Sequence, residues 1–435
     1  MTTVPERYAR HVDPAFVRLL GVLGYGRTFT RATGSWIEDD SGRKYLDLLS
    51  GFGSVNIGHN HPRLVAHLRA FFDDQPLNLN HTGVSAHPAT LAEQLARTAP
   101  PLDAALFSNS GAEAVETAIK LARGATKRTR ILYCEGAYHG LTLGTLSVSS
   151  SRRMRAPFEP LLPDCTAVPF DDLAALEAAL DKDVAAFLVE PVQIEGGMRF
   201  PRDGYLRTAR ELCSKRGTLL MLDEVQTGLG RTGSMYAFQH EAVTPDVLIL
   251  AKSAGGSIAP IGVTMTTRAI QRKAFGSTRT FDLHGSTFAG NAFACAAAGE
   301  TLRILEDEQL VTRSRDLGAE WLAALRERLQ KHPLVAGIRG RGLLIAIELR
   351  ARAAKDVAGQ WLALAMLERG LIVQPASQAW HVLRLEPPLT VSRDELTHAT
   401  HVIGEVFDAN RSLSPLLART GIRAVQQFVN RGRFR

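Results

Sequence analysis

Between about residue 100 and residue 265, short apolar runs alternate with amphipathic stretches rich in Ala and Leu. The runs are Ala104–Ser108, Ile131–Cys134, Ala185–Val189, Leu219–Leu222 and Val247–Ala251. Helical patterns lie between them at Ala112–Arg123, Leu173–Leu180 and Gly204–Lys215. A chain that repeats strand and helix in this way buries both as a mostly parallel sheet flanked by helices. The prediction is an α/β fold. Pro260–Thr266 reads as an edge strand, and a helix opening near Asn291 leads out of the sheet.

After residue 310 the pattern changes. Leu317, Trp321, Leu325 and Leu329 recur at helical spacing, followed by strand-like runs at Leu343–Leu349, Leu371–Gln374 and Val382–Leu385. Ser392 with Glu395 three residues on forms a capping box for a last helix. Short strands at Thr28–Ala32, Trp36–Glu38 and Tyr45–Leu48 are read as joining this C-terminal part. The expected organisation is a large domain over residues 61–300, a smaller discontinuous α+β domain from 1–60 and 301–411, and a basic tail at 412–435.

Composition narrows the function classes. Hydrophobic residues at 45% and charged residues at 22% exclude a disordered or fibrous chain. No apolar run is long enough to span a bilayer, and the first residues lack the core of a secretory signal. Cys134, Cys165, Cys213 and Cys295 are too widely spaced for a zinc site or a disulfide framework, so a reducing, cytoplasmic setting is expected. The net charge of +7 invites a nucleic-acid reading, but five arginines without a single acid lie in 412–435. Without them the remainder holds 46 basic and 44 acidic residues, and no nucleic-acid groove is expected. The tail mixes those arginines with apolar residues. It reads as docking on its own dimer, or as a contact for an acidic partner or an anionic membrane surface.

In an open parallel sheet, ligands bind beyond the C-terminal strand ends. Asn109-Ser110-Gly111-Ala112 follows the first run and opens a helix, whose free N–H groups attract a phosphate. Tyr138 and His139, Glu190 to Glu195, Asp223 to Gln226, and Lys252 follow the other runs. A lysine buried at a strand end loses hydration, its pKa falls, and its neutral amine can attack a carbonyl. An aspartate on the adjacent loop can keep a pyridine nitrogen protonated, which makes the ring an electron sink. With a phosphate cradle and an aromatic ring for stacking, these groups suit pyridoxal 5′-phosphate. On spacing alone, a structural Asp223–Lys252 ion pair is the commoner arrangement. Gly228-Leu229-Gly230-Arg231-Thr232-Gly233 matches a dinucleotide fingerprint literally, but residues 223–227 separate it from its strand and Arg-Thr-Gly-Ser is a poor helix start.

The ordered segments make the pattern specific. They are NIGHNHP (56–62), SNSGAEAVETAIKLAR (108–123), AYHG (137–140), EPVQIEGG (190–197), LDEVQTGLGRTG (222–233), LAKSAGG (250–256), GSTFAGN (285–291), RGRGLLIAIEL (339–349) and LRLEPPLT (383–390). Together they resemble the class-III aminotransferases of the type I pyridoxal-phosphate fold, closest in phrasing to putrescine- and ornithine-type members. The resemblance implies that Lys252 forms a Schiff base with the cofactor and that Asp223 pairs with its ring nitrogen. It places Tyr138 and Val225 on the two ring faces and Gln226 near the phenolic oxygen. It gives the phosphate to Ser110, Gly111 and Ala112, completed by Thr287 of a second subunit, and so implies a homodimer. Arg384 would bind the carboxylate of the oxo acid, with Glu195 as its gate. Leu141 stands where ornithine-type enzymes carry a carboxylate-gripping arginine, and Phe52 where they carry a tyrosine. The expectation is an aminotransferase moving an amino group from an amine, a diamine or an apolar amine to 2-oxoglutarate or pyruvate. An ornithine- or acetylornithine-type amino-acid aminotransferase is the alternative. A decarboxylase, aminomutase or epimerase of the same fold is the other.

Overall fold

The computed structural model describes residues 2–22, 25–350 and 358–411. The arginine-rich segment 412–435, and with it the expected docking or acidic-partner contact, lies outside the described residues. A seven-stranded sheet forms the centre, ordered Ala104–Ser108, Gly262–Thr266, Val247–Leu250, Leu219–Asp223, Val184–Val189, Arg130–Cys134 and Cys165–Val168. All the apolar runs named above are strands within it. The strands from Val247–Leu250 to Cys165–Val168 pair in parallel, and Gly262–Thr266 runs antiparallel to both of its neighbours.

That placement corrects the expectation of an edge strand at Pro260–Thr266. Thr264 and Thr266 give the run an edge-like look, but every residue of Gly262–Thr266 is buried. The two hydroxyls are satisfied inside, donating to Ala114 O and Asp246 O, each at 2.8 Å. Interior threonines are stable here because their donors stay paired. One true edge is Cys165–Val168, whose exposed Thr166 and Ala167 left it no apolar signal.

The helices follow from capping and period. Ser110 caps Gly111–Thr126 by accepting from Glu113 N at 3.1 Å, and Ala114, Val115, Ala118, Ile119 and Ala122 face the sheet. Asn291 caps Ala292–Asp307 in the same way, and the Ser392–Glu395 box closes the start of Arg393–Asp408.

Two smaller sheets complete the fold. Phe29–Thr33, Trp36–Asp39 and Lys44–Asp47 are joined by Leu371–Ile372, which pairs in parallel with Lys44–Asp47. Val335–Arg341, Leu344–Leu349, Ala379–Leu385 and Gln374–Ala376 make the other. The run read as one strand, Leu371–Gln374, is thus divided between two sheets at Val373. Val335–Arg341 has no sequence signature, since its glycines and arginines leave it half-buried at most positions. The literal GxGxxG is a turn-rich loop and opens no helix. Its Arg231 is fully buried, donating to Leu343 O at 3.0 Å and Asn56 Oδ1 at 2.6 Å, so the loop ties the large sheet to the C-terminal strands. Among the described residues no helix is long and apolar enough to cross a membrane.

Candidate active site

Because the strands of the large sheet other than Gly262–Thr266 share a direction, their C-terminal ends deliver Ser110, Tyr138, Glu190, Asp223 and Lys252 to one edge. A cavity of about 260 Å³ opens there, lined by Gly111, Ala112, Tyr138, His139, Leu141, Glu195, Asp223, Val225, Gln226 and Lys252 among others.

Lys252 follows Val247–Leu250 and adopts a left-handed backbone, φ 50°. A side-chain-bearing residue keeps that conformation only where its surroundings over-determine it. Its Nζ donates to Gln226 Oε1 at 2.6 Å. Burial lowers its pKa and the Arg384 charge adds to this, against the raising effect of Glu195, Glu386 and Asp223. A neutral amine is therefore available at lower pH than for a free lysine. The rate at which the apoprotein takes up pyridoxal phosphate should rise with pH through an inflection below the ordinary lysine value. An inflection at or above that value, in a stopped-flow series, would contradict a burial-lowered Lys252.

Asp223 ends its strand and does not bond Lys252. Its Oδ2 accepts from His139 Nδ1 at 2.7 Å and its Oδ1 from Val225 N at 3.0 Å. The structural ion pair that spacing alone suggested is absent, and the carboxylate keeps lone pairs free for another donor. His139 was legible as a strand-end imidazole but not as the partner of Asp223. Glu190 accepts from Tyr138 N at 2.9 Å. Burial first, and then the Asp223 charge, pushes the Glu190 carboxyl well above the usual range.

On the far side, Arg384 from Ala379–Leu385 is fully buried and donates through Nη1 to Glu195 Oε1 at 2.6 Å. Ser377 N donates to Glu195 Oε2 at 3.0 Å. Burial alone would raise the Glu195 carboxyl, but the Arg384 charge, the Ser377 bonds and Lys252 outweigh it and hold it below the ordinary value. Phe52 lies against this pair, its ring centroid 5.0 Å from the guanidinium carbon, rather than among the cavity-lining residues. Leu141 lines the cavity and is 57% exposed at its mouth. Thr287 sits on an exposed loop outside the cavity lining, and Ser110 Oγ is occupied as a helix cap. Glu386, one residue past the end of Ala379–Leu385, was missed, although alternate residues of an extended chain share a face and Arg384 had been marked.

The arrangement fits pyridoxal phosphate. At Gly111 a Cβ would stand 3.2 Å from Val225 Cγ1, tighter than most real contacts, so the glycine eases the close approach of the helix start to the loop beside the cavity. Within that same cavity are a pKa-lowered amine, a carboxylate with spare acceptor capacity, and an aromatic ring.

Comparison with known proteins agrees with this geometry. Residues 24–407 match the family model described as aminotransferase class-III. The chain belongs to the class-III aminotransferases. It is 38% identical to the ornithine aminotransferase of Bacillus cereus (strain Q1) across 87% of this chain and 93% of that protein. It is 40% identical to aminotransferase PigE of Serratia sp. (strain ATCC 39006) across 79% of this chain, but spans only 41% of PigE. The ornithine aminotransferase of Toxoplasma gondii ME49 superposes with a TM-score of 0.83 at 34% identity, over 94% of this chain and 99% of that one. A second Toxoplasma gondii structure, 35% identical with a TM-score of 0.80 over 88% of this chain and 90% of that one, shows pyridoxal phosphate partially occupying its active site. The chain is thus a pyridoxal-phosphate-dependent aminotransferase of the type I fold.

Proposed function

We propose that this aminotransferase takes its amino group from an amine, a diamine or an amine on an apolar body, and passes it to 2-oxoglutarate or pyruvate. The observation that carries the reading is Leu141. An apolar side chain lines the cavity at the position where a carboxylate-gripping arginine is expected. A donor carboxylate brought there would find no cationic side chain at this position, and so would gain no charge-assisted hydrogen bond from it.

Bound pyridoxal phosphate supplies a carbonyl carbon for the amine and a ring that takes up the electron pair left by a departing proton. Ser110, Gly111 and Ala112 would hold its phosphate at the helix start, Tyr138 and Val225 would hold its ring, and Gln226 would bond its phenolic oxygen. Asp223, oriented by His139, would keep the ring nitrogen protonated. Lys252 Nζ takes the proton from the donor's amine-bearing carbon. Arg384 receives the oxo-acid carboxylate when Glu195 releases it. Thr287 completes the phosphate site of a second copy in a homodimer. Its loop supports this, since Phe281, Leu283 and Phe288 are exposed there and form apolar surface for a partner to cover. Three of the cysteines are buried and all are unpaired, which suits a cytoplasmic setting.

The ornithine-type reading is favoured by the names of the relatives, and a donor panel separates the two. 1,4-Diaminobutane and alkyl amines should exceed ornithine and acetylornithine in kcat/KM by about tenfold or more, the equivalent of ~1–3 kcal/mol for an unpaired polar group. Leu141→Arg should shift preference toward ornithine without improving diamine turnover. Ornithine surpassing every amine in the unmodified enzyme would reject the donor assignment and leave the family intact.

A further inference from the structure

Arg384 faces two carboxylates. Its Nη1 donates to Glu195 Oε1 at 2.6 Å and lies 3.8 Å from Glu386 Oε1. The two acids are held very differently. Glu386 is fully buried, its backbone N–H donates to Leu48 O at 2.7 Å, and its Oε2 accepts from Gln226 Nε2 at 2.8 Å. A Cβ at Gly53 would stand only 3.0 Å from that Oε2, so the chain closes over the carboxylate and leaves it little room to move. Glu195 lines the cavity outside the strand pairing that fixes Arg384, and besides Arg384 its carboxylate is held among the described residues by one bond, from Ser377 N at 3.0 Å.

The remaining oxygen of Glu386 is the informative atom. Oε1 is buried and has no hydrogen-bond partner among the described residues. Arg231 lies near enough to feel the Glu386 charge, but its terminal nitrogens donate to Leu343 O, Pro387 O and Asn56 Oδ1. An unpartnered carboxylate oxygen in the interior is costly, and a guanidinium beside it is the natural partner. A shift of about 1 Å would bring Nη1 from its ion-pair distance to a hydrogen bond.

We propose that Glu386 is a specificity-determining residue, a fixed second counter-charge that takes Arg384 when Glu195 swings aside. This rests on the reading of Arg384 and Glu195 as the oxo-acid end of the site. With a single carboxylate, opening the gate would leave a bare buried cation that grips any substrate carboxylate. With Glu386 in place, an incoming carboxylate must compete for Nη1 even when the gate is open. Anionic substrate ends are held weakly, and donors with an uncharged or ammonium far end are tolerated. The substrate class so favoured is the diamines and simple amines.

Glu386→Gln tests this, because the amide keeps the shape and can still accept from Gln226 Nε2. Holoenzyme would be titrated calorimetrically with glutarate, a dicarboxylate that cannot react. The variant should bind glutarate about tenfold tighter or more than the unmodified enzyme, while its KM for 1,4-diaminobutane rises. Unchanged glutarate affinity, or glutarate and diamine binding both weakened alike, would overturn the proposal and leave Glu386 a structural residue. Should Glu386→Gln fail to fold, Glu195→Gln decides. Glu386 then still holds Arg384, so glutarate affinity should gain less than about threefold, and a larger gain overturns the proposal. If the unmodified enzyme transaminates no amine, the donor reading falls, and the glutarate series still judges Glu386 separately.

Discussion

Lys252→Ala should lose transamination by at least about a thousandfold, since it removes both an attacking amine and a general base. Borohydride reduction of the unmodified holoenzyme should fix the cofactor irreversibly, and peptide mapping should find it on Lys252. The variant should bind the cofactor only reversibly. The structural reason is singular. Lys252 is the lysine lining the cavity, its pKa is lowered chiefly by burial, and its backbone is held left-handed at the strand end. Lys120, by contrast, spends its ammonium on Leu283 O away from the cavity. Finding the reduced adduct on any lysine other than Lys252 would reject the assignment.

Asp223→Asn should keep the fold and most of the cofactor while turnover drops by about a hundredfold or more. The amide retains an acceptor and the same shape, so contact with Val225 N or His139 survives in part. The negative charge does not survive, and with it goes the protonated ring nitrogen that lets electrons leave the donor carbon. A charge-assisted hydrogen bond is worth ~1.5–3 kcal/mol in binding, and aimed at developing charge in a dry site it is worth more. The check is to measure bound cofactor and kcat on the same preparation. Full cofactor content with near-normal turnover would show that Asp223 does not hold the ring nitrogen. Equal loss of both would assign it to binding alone.

The strands and helices of the central sheet were legible because their signals are local. Each run from Ala104–Ser108 to Val247–Leu250 is continuously apolar, and each intervening helix repeats its apolar face at its own period. The same locality made Lys252, Asp223 and Tyr138 findable, since each sits at or within a few residues of the end of an apolar run, where a parallel sheet gathers its ligands. The limits of that signal are equally physical. Gly262–Thr266 was misplaced at the edge because a hydroxyl paired inside the sheet looks the same in sequence as one facing water. Val335–Arg341 gave no signal because a half-buried strand of glycines and arginines has no alternation.

Sequence alone determined the α/β class, which follows from residue types in local order, and its ordered motifs carried the resemblance to the class-III aminotransferases. Only the tertiary structure decided which charges meet. Asp223 pairs with His139, 84 residues away in the chain, and not with Lys252. Arg384 reaches across 189 residues to Glu195, while Glu386, its near neighbour in the chain, waits at 3.8 Å with an oxygen unused. Such pairings depend on how strands from separate sheets converge, and on distances of an ångström or so. Whether two buried groups share a hydrogen bond turns on those distances, and no local pattern of residues encodes them.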